Sequence, residues 1–362
     1  MKKILLFGFT DKKGGIESFL LDFIKHVNRN SFSFDCIVNT SVVAYEKELL
    51  ELGVGVYHLP MRSKAPLKFK KECHNFFKKK ATEYDAIWVN VCSLANIDYL
   101  KYAKKYGIPK RIIHCHNSQN MDSKARGILH RFNRLFIRYY ATDFWTCSDK
   151  ASEWFYNMAI RNSSKYYVFE NSVDLDKYRF NPELRHMIRE KLNISKDTLI
   201  LGNVGRLHPQ KNQSFLIDVF NRFHCEHVDS KLWIIGQGEL RSSLEKKVNN
   251  LGLDDSVYFF GEVSNINEIY QGMDFFVFPS LYEGMSIALL EAQANGLTCI
   301  ISLGNPENSV LNDNVFRIET FDEDIWVDRI QKSSIKRADT NKLRGSEHDI
   351  NIQIQKFEEI FR

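Results

Sequence analysis

The chain has no C-x-x-C pair. Its seven cysteines (Cys36, Cys73, Cys92, Cys115, Cys147, Cys225 and Cys299) are odd in number and widely scattered, which argues against a disulfide framework. This favours a reducing cytoplasm, with most of them buried as small hydrophobes. No run of about eighteen apolar residues occurs, so no segment reads as a membrane span. The N-terminal MKKILLFGFTDKK imitates a signal peptide. Its apolar run is short, stops at Asp11-Lys12-Lys13 and lacks a small-residue cleavage site, so it reads instead as a first buried strand. Low-complexity tracts and short-period repeats are also missing. The net charge of +5 is too small to argue for nucleic acid, and no zinc knuckle, helix-turn-helix signature or aromatic RNP-type motif is present. What remains, 362 residues with 44% hydrophobic and 26% charged, is the composition of a globular protein of about two domains.

The basic residues are unevenly placed. LKFKKECHNFFKKK (67 to 80) puts Phe69, Cys73, Phe76 and Phe77 on one helical face among lysines. ARGILHRFNRLFIRYY (125 to 140) does the same with Ile128, Leu129, Phe132, Leu135, Phe136 and Tyr139 against Arg131, Arg134 and Arg138. Each helix has two readings: its apolar face packs on the core with the cations in solvent, or it lies on an anionic membrane surface.

Short apolar runs alternate with helix-length amphipathic segments, the pattern of an α/β protein whose parallel sheets are covered by helices on both faces. Seven strands are predicted in the first half (KILLFGF, FDCIVN, VGVYHL, DAIWVNV, RIIHCH, DFWTCS, YYVFE) and five in the second (LILGNV, KLWIIG, VYFF, DFFVFP, LTCIIS). The polar stretch between them carries a proline and no strand signal. The expectation is therefore two Rossmann-like, doubly wound domains: residues 1–172, a link over 173–197, and residues 198–345. A last helix within 346–362 is assignable to either.

Two stretches carry chemistry. In LILGNVGRLHPQKNQSFLIDVF, Gly205, Arg206 and Lys211 occupy the loop between a strand and a helix start. Cations are normally unfavourable at a helix N-terminus, so two of them there suggest an anionic guest such as a diphosphate. In PSLYEGMSIALLEAQANG, two glutamates lie eight positions apart, Glu283 before an apolar helix and Glu291 within it. Were the helix to begin at Glu283, a rise of about 1.5 Å per residue would separate the carboxylates by roughly 12 Å. Glu291, on a largely apolar helix, needs a polar partner or a solvent cleft. Glu283, with the N–H groups of Gly284, Met285 and Ser286, is placed to hold a sugar, and Glu291 to accept from ribose hydroxyls. The plain alternative is a capping carboxylate and a surface glutamate. DLD (174 to 176) and DED (322 to 324) look like acidic metal pairs but read as helix caps or surface acids.

GRLHPQKN followed about seventy residues later by E-x7-E resembles the donor domain of the retaining GT-B glycosyltransferases of family four, particularly those of bacterial capsular and exopolysaccharide assembly. The likeness extends through GGIESF, RIIHCHNS, ATDFWTCSDKASEWFY, NSVDLDKY, IIGQGELRSSLEKKV and YFFGEV, and weakens after residue 302. It implies that Arg206 and Lys211 bind the donor pyrophosphate, Glu291 the ribose and Glu283 with its neighbours the sugar. Gly14 and Gly15 would stand in the glycine loop near diphosphate and acceptor. His116, rather than His114, falls on the active-site histidine, because it ends its strand. Many relatives carry histidines at the end of the preceding strand, where this chain has Trp88 and Asn90.

The resemblance further implies a cytoplasmic hexosyltransferase that takes a nucleotide sugar, here expected to be a UDP-sugar, and needs no metal. Its acceptor would be a glycan, lipid-linked, at the inner face of the membrane. Three rivals stand beside it. An oxidoreductase would need G-x-G-x-x-G after a strand, and GQGEL (236 to 240) lacks the third glycine. The others are a sugar-nucleotide epimerase of the same fold and a non-catalytic partner subunit.

Overall fold

The computed structural model describes residues 1–12, 14–117, 123–340 and 342–362. Contacts divide the chain into two units: Met1–Asn171 with Gln353–Arg362, and Ser172–Ile352.

The first unit holds a seven-stranded parallel sheet of β1 (Lys2–Phe7), β2 (Phe32–Val38), β3 (Gly55–His58), β4 (Ala86–Val91), β5 (Lys110–Cys115), β6 (Asp143–Thr146) and β7 (Tyr166–Val168). Their order is β3-β2-β1-β4-β5-β6-β7. The order reverses between β1 and β4, and at such a switch point the loops after the two strands diverge and leave room for a ligand. Strand β4 is buried along its whole length, which a parallel strand covered on both faces requires and which AIWVNV satisfies. Helix Ile350–Phe361 ends on this unit. Its Phe357 ring lies 4.7 Å from Phe23, 5.2 Å from Phe32 and 5.6 Å from Trp88, and Lys356 Nζ donates to the Val168 carbonyl at 2.6 Å.

The second unit holds β8 (Leu199–Val204), β9 (Ser230–Ile235), β10 (Val257–Gly261), β11 (Phe275–Phe278), β12 (Thr298–Ser302) and β13 (Val315–Ile318), all parallel in the order β10-β9-β8-β11-β12-β13. Alternation along each strand divides the core. Ile200, Trp233, Ile235, Phe276, Phe278 and Ile301 pack on one face, and Leu201, Leu232, Ile234, Phe275, Val277 and Ile300 on the other. The sequence reading finds twelve of these thirteen strands and misses β13, a four-residue strand whose Phe316 and Arg317 are half-exposed.

The expected link is built into the second unit. It forms helices Leu175–Tyr178 and Pro182–Lys191, and the latter sends Arg185 (2.6 Å) and Arg189 (3.3 Å) to the buried carboxylate of Asp274. Asp174 caps the first of these helices, accepting from the N–H groups of Asp176 and Lys177, and Asp322 caps helix Glu323–Lys332 in the same way. Both acidic stretches thus do helix-end work.

Candidate functional site

In the second unit, β8 delivers the chain into the loop Gly205–Asn212. A short 3₁₀ turn, Pro209–Lys211, follows, and Asn212, in the left-handed region at φ 53°, starts helix Gln213–Glu226. Two glycines of the next βα turn let this loop settle. A Cβ on Gly236, whose φ is +134°, would stand 2.1 Å from the Gly205 carbonyl oxygen, and one on Gly238 would stand 2.2 Å from that of Leu207. The Gly205 N–H donates to Ile235 and the Leu207 N–H to Gln237, at 2.9 and 3.0 Å. Beneath the loop, the buried Gln213 side chain donates to the Arg206 carbonyl at 3.1 Å. Arg206 itself is exposed, and no carboxylate among the described residues pairs with its guanidinium. A rigid loop therefore presents a free cation.

Lys211 turns inward. Its ammonium lies 2.7 Å from Glu283 Oε1 and 4.7 Å from the centre of the Phe278 ring, with only 17% of the lysine and 8% of the glutamate side chain exposed. Its aliphatic stem lies along Gly205, where a Cβ would meet Lys211 Cε at 3.3 Å. The segment carrying Glu283 is stitched in by two backbone bonds and one side-chain bond: Leu281 N–H to the Gln210 carbonyl, Glu283 N–H to the Gly304 carbonyl, and Gln210 Nε2 to the Tyr282 carbonyl, each 2.8 Å. The sequence places Lys211 and Glu283 on different parts of one guest, and the structure joins them directly.

The helix after Glu283 begins later than the sequence estimate assumes. It spans Ile287–Ala294 with Ser286 at its N-cap, so the roughly 12 Å spacing, which took Glu283 as the first helical residue, does not apply. Ser286 makes no side-chain capping bond, which leaves first-turn N–H groups for another acceptor. Gly284 is exposed, and a Cβ added there would meet nothing within 4 Å. Met285 packs partly against the core.

Glu291 has its polar partners within the protein, so its place on an apolar helix does not by itself require a ligand. Oε1 accepts from the Tyr178 hydroxyl at 2.6 Å and Oε2 from that of Tyr270 at 3.0 Å. Burial, reinforced by the neighbouring Glu291 carboxylate, holds the Tyr270 phenol well above its ordinary range, so it stays a donor. The two tyrosine hydroxyls, one on each oxygen, fix the orientation of the carboxylate. Sequence reasoning missed both tyrosines. DKYRF gave no signal beyond a polar stretch, and Tyr270 reads as plain core.

In the first unit, Gly14 is the N-cap of helix Gly15–His26. The carboxylate of Glu17 folds back over this end, accepting from Thr10 Oγ1 and from the Gly14 N–H. A Cβ on Gly14 would stand 2.7 Å from Glu17 Oε2. Gly14 therefore makes room for an internal cap, and burial raises that carboxyl above its usual range.

His116 stands just past β5, as its strand-end position predicts, while His114 is fully buried and stacks on Trp88 with 9° between the rings. Asn90, whose role the sequence leaves open, is its partner. Asn90 Nδ2 donates to the Phe7 carbonyl at 3.3 Å, which turns Oδ1 toward His116 Nε2 at 2.9 Å. The proton therefore sits on Nε2, and Nδ1 is the ring's acceptor.

Burial lowers His116 to about 3 and lowers His114 as well. Unfolded histidines titrate near 6.5, so the stability these neutral rings contribute is complete above that pH and is lost as the pH falls through the window down to about 3. Urea unfolding of the first unit is expected to show a loss of about 2 kcal/mol from His116 alone by about pH 5, and His116→Gln to make that acid loss shallower.

Several known proteins resemble this chain. The family described as Glycosyl transferases group 1 matches residues 185–344, which contain Arg206, Lys211, Glu283 and Glu291. The chain is 25% identical to a capsular polysaccharide biosynthesis glycosyltransferase, CapH, of Staphylococcus aureus over 96% of this chain and 95% of that one. It is 34% identical, over 46% of this chain and 44% of the other, to the UDP-Gal:alpha-D-GlcNAc-diphosphoundecaprenol alpha-1,3-galactosyltransferase of Escherichia coli. Among solved structures, Anabaena HepE in complex with UDP-glucose superposes with a TM-score of 0.77 over 100% of this chain and 99% of that one, at 18% identity. With its two parallel sheets, the chain has the GT-B fold, and its residues 185–344 match the group 1 glycosyltransferases.

Proposed function

We propose that the protein moves a hexose or N-acetylhexosamine from a UDP-sugar to a lipid-linked glycan, with retention of anomeric configuration, in capsular or exopolysaccharide assembly. The observation that carries this reading is the pair of cations on one loop: Arg206 free and exposed, Lys211 held at 2.7 Å on Glu283. Breaking the anomeric bond leaves a cationic sugar and a nucleoside diphosphate with added negative charge. Arg206, Lys211 and the first-turn N–H groups after Ser286 stabilise that charge as it forms, because they are in place before it appears. Glu283, already paired with Lys211, turns its remaining lone pairs to the sugar hydroxyls, and Glu291 on its two tyrosines receives the ribose. The acceptor attacks from the face the diphosphate leaves, and a donor phosphate oxygen takes its proton. His116 orients a hydroxyl through Nδ1. No step calls for a divalent cation.

The lipid-linked acceptor and the UDP donor are the chemistry named for the Escherichia coli relative, which supports both parts of the reading. The test is a thermal-shift series of UDP, GDP and ADP sugars. The right donor at a hundred times its dissociation constant adds about 2.7 kcal/mol of stability. Product analysis then follows, with and without chelator. No shift with any nucleotide sugar, or a free rearranged sugar released without acceptor, would overturn the reading.

A further inference from the structure

Helix Lys124–Tyr140 sits on the first unit with its polar side inward. His130 stacks on Trp154 at 3.8 Å and accepts the Leu94 N–H at 3.0 Å, while Asn133 donates to the Leu94 carbonyl at 2.7 Å. Ile137 completes the buried stripe. The opposite side is apolar and exposed: Ile128 at 67%, Phe132 at 59%, Leu135 at 75%, Phe136 at 47% and Tyr139 at 64%. At helical spacing these fall within an arc of about 120°, a continuous ridge rather than scattered surface residues. The other basic helix, Pro66–Lys80, is built the opposite way, with Phe69, Cys73 and Phe77 buried in the core. Of the two readings open for each helix, the core-packed one holds there and fails here.

Charge selects the occupant. The helix carries Lys124, Arg126, Arg131, Arg134 and Arg138 and no acidic residue, a surplus as large as the net +5 of the entire chain. Arg134 is tied to the carbonyls of Glu153 and Tyr156, but Lys124, Arg131 and Arg138 are exposed along one edge of the ridge. A second copy docking ridge to ridge would set these like charges against each other. An anionic lipid surface takes up both the apolar side chains and the cations.

We infer that the Ile128–Tyr139 ridge inserts into the headgroup region of an anionic bilayer, with Arg131 and Arg138 on lipid phosphates. This deepens the lipid-linked acceptor reading but uses no donor-site residue, so its failure would leave UDP binding untouched. Flotation with vesicles of phosphatidylcholine and phosphatidylglycerol is expected to carry the protein, and vesicles of phosphatidylcholine alone to leave it behind. Phe132→Ser with Leu135→Ser and Phe136→Ser, all exposed positions, reduces partitioning at least tenfold, roughly tenfold per two buried methylenes being the ordinary scale. Arg131→Glu with Arg138→Glu reduces it roughly fivefold per cation or more. Lys78→Glu with Lys79→Glu, on the other helix, leaves it unchanged, and every variant keeps its affinity for UDP. The inference is overturned if the wild-type protein does not float, or if the serine variant floats as well as it does. It also fails if the Lys78 and Lys79 variant is released equally, or if sedimentation shows a dimer that the serine substitutions abolish.

Discussion

Neutralising both loop cations, Arg206→Ala with Lys211→Met, is expected to weaken UDP binding by about a hundredfold and to lower turnover by roughly a thousandfold or more. Hydrogen bonds from charged groups contribute about 1.5–3 kcal/mol each, and losing one preorganised donor to a developing anion costs about 100- to 1,000-fold in rate. The effect on Lys211 has a second source. Glu283, with 8% of its side chain exposed, loses its counter-ion, so the single Lys211→Met variant also leaves a nearly buried carboxylate without its partner. Adding Glu283→Gln separates the two: it restores stability in denaturant titrations while UDP affinity, read by calorimetry, stays low. Unchanged UDP affinity in the double cation variant would refute the diphosphate cradle.

The second large effect is expected at Gly236, which touches no substrate in the reading above. Alanine there places a methyl 2.1 Å from the Gly205 carbonyl oxygen, in a left-handed conformation that side chains rarely adopt. Neither neighbour is a flexible side chain that can swing aside. Gly236→Ala should cost about 3 kcal/mol or more, lowering the apparent melting temperature by about 6–12 °C, and UDP affinity should fall with it as the Arg206 loop is displaced. Gly252→Ala tests the reasoning: it also has a left-handed φ, +68°, but nothing within 4 Å of the added methyl, so only the smaller backbone strain is expected. Equal losses in the two variants would show that contact with Gly205 is unimportant.

The same contact explains what was and was not legible in the sequence. GQGEL is readily dismissed as a broken dinucleotide fingerprint, and the pattern itself does not reveal that its glycines exist for backbone packing against a loop thirty residues earlier. Strands were legible because both sheets are buried on two faces, which forces runs such as LLF and FFVF. β13 was not, because a short strand with Phe316 and Arg317 half-exposed lacks that constraint. The loop cations were legible because they oppose a helix dipole. Glu291 drew notice for the right reason, burial of a carboxylate on an apolar helix, yet its partners come from residues 113 and 21 positions away and carry no local mark. The helix at 124–140 shows the limit of amphipathic periodicity: the wheel identifies two faces, and only the His130 and Asn133 hydrogen bonds reveal which one is inside.

The tail that returns to the first unit has a practical corollary for anyone dividing the protein. Because Gln353–Arg362 folds with Met1–Asn171, that half of the molecule is discontinuous in the gene and is joined to the other half by two crossings of the chain. A fragment stopped at Asn171 would strip Phe357 from the rings of Phe23, Phe32 and Trp88 and bare an aromatic floor. A usable fragment of the first unit therefore requires residues 353–362 to be grafted back, and a single protease nick in the 172–198 stretch would leave the two halves still tethered.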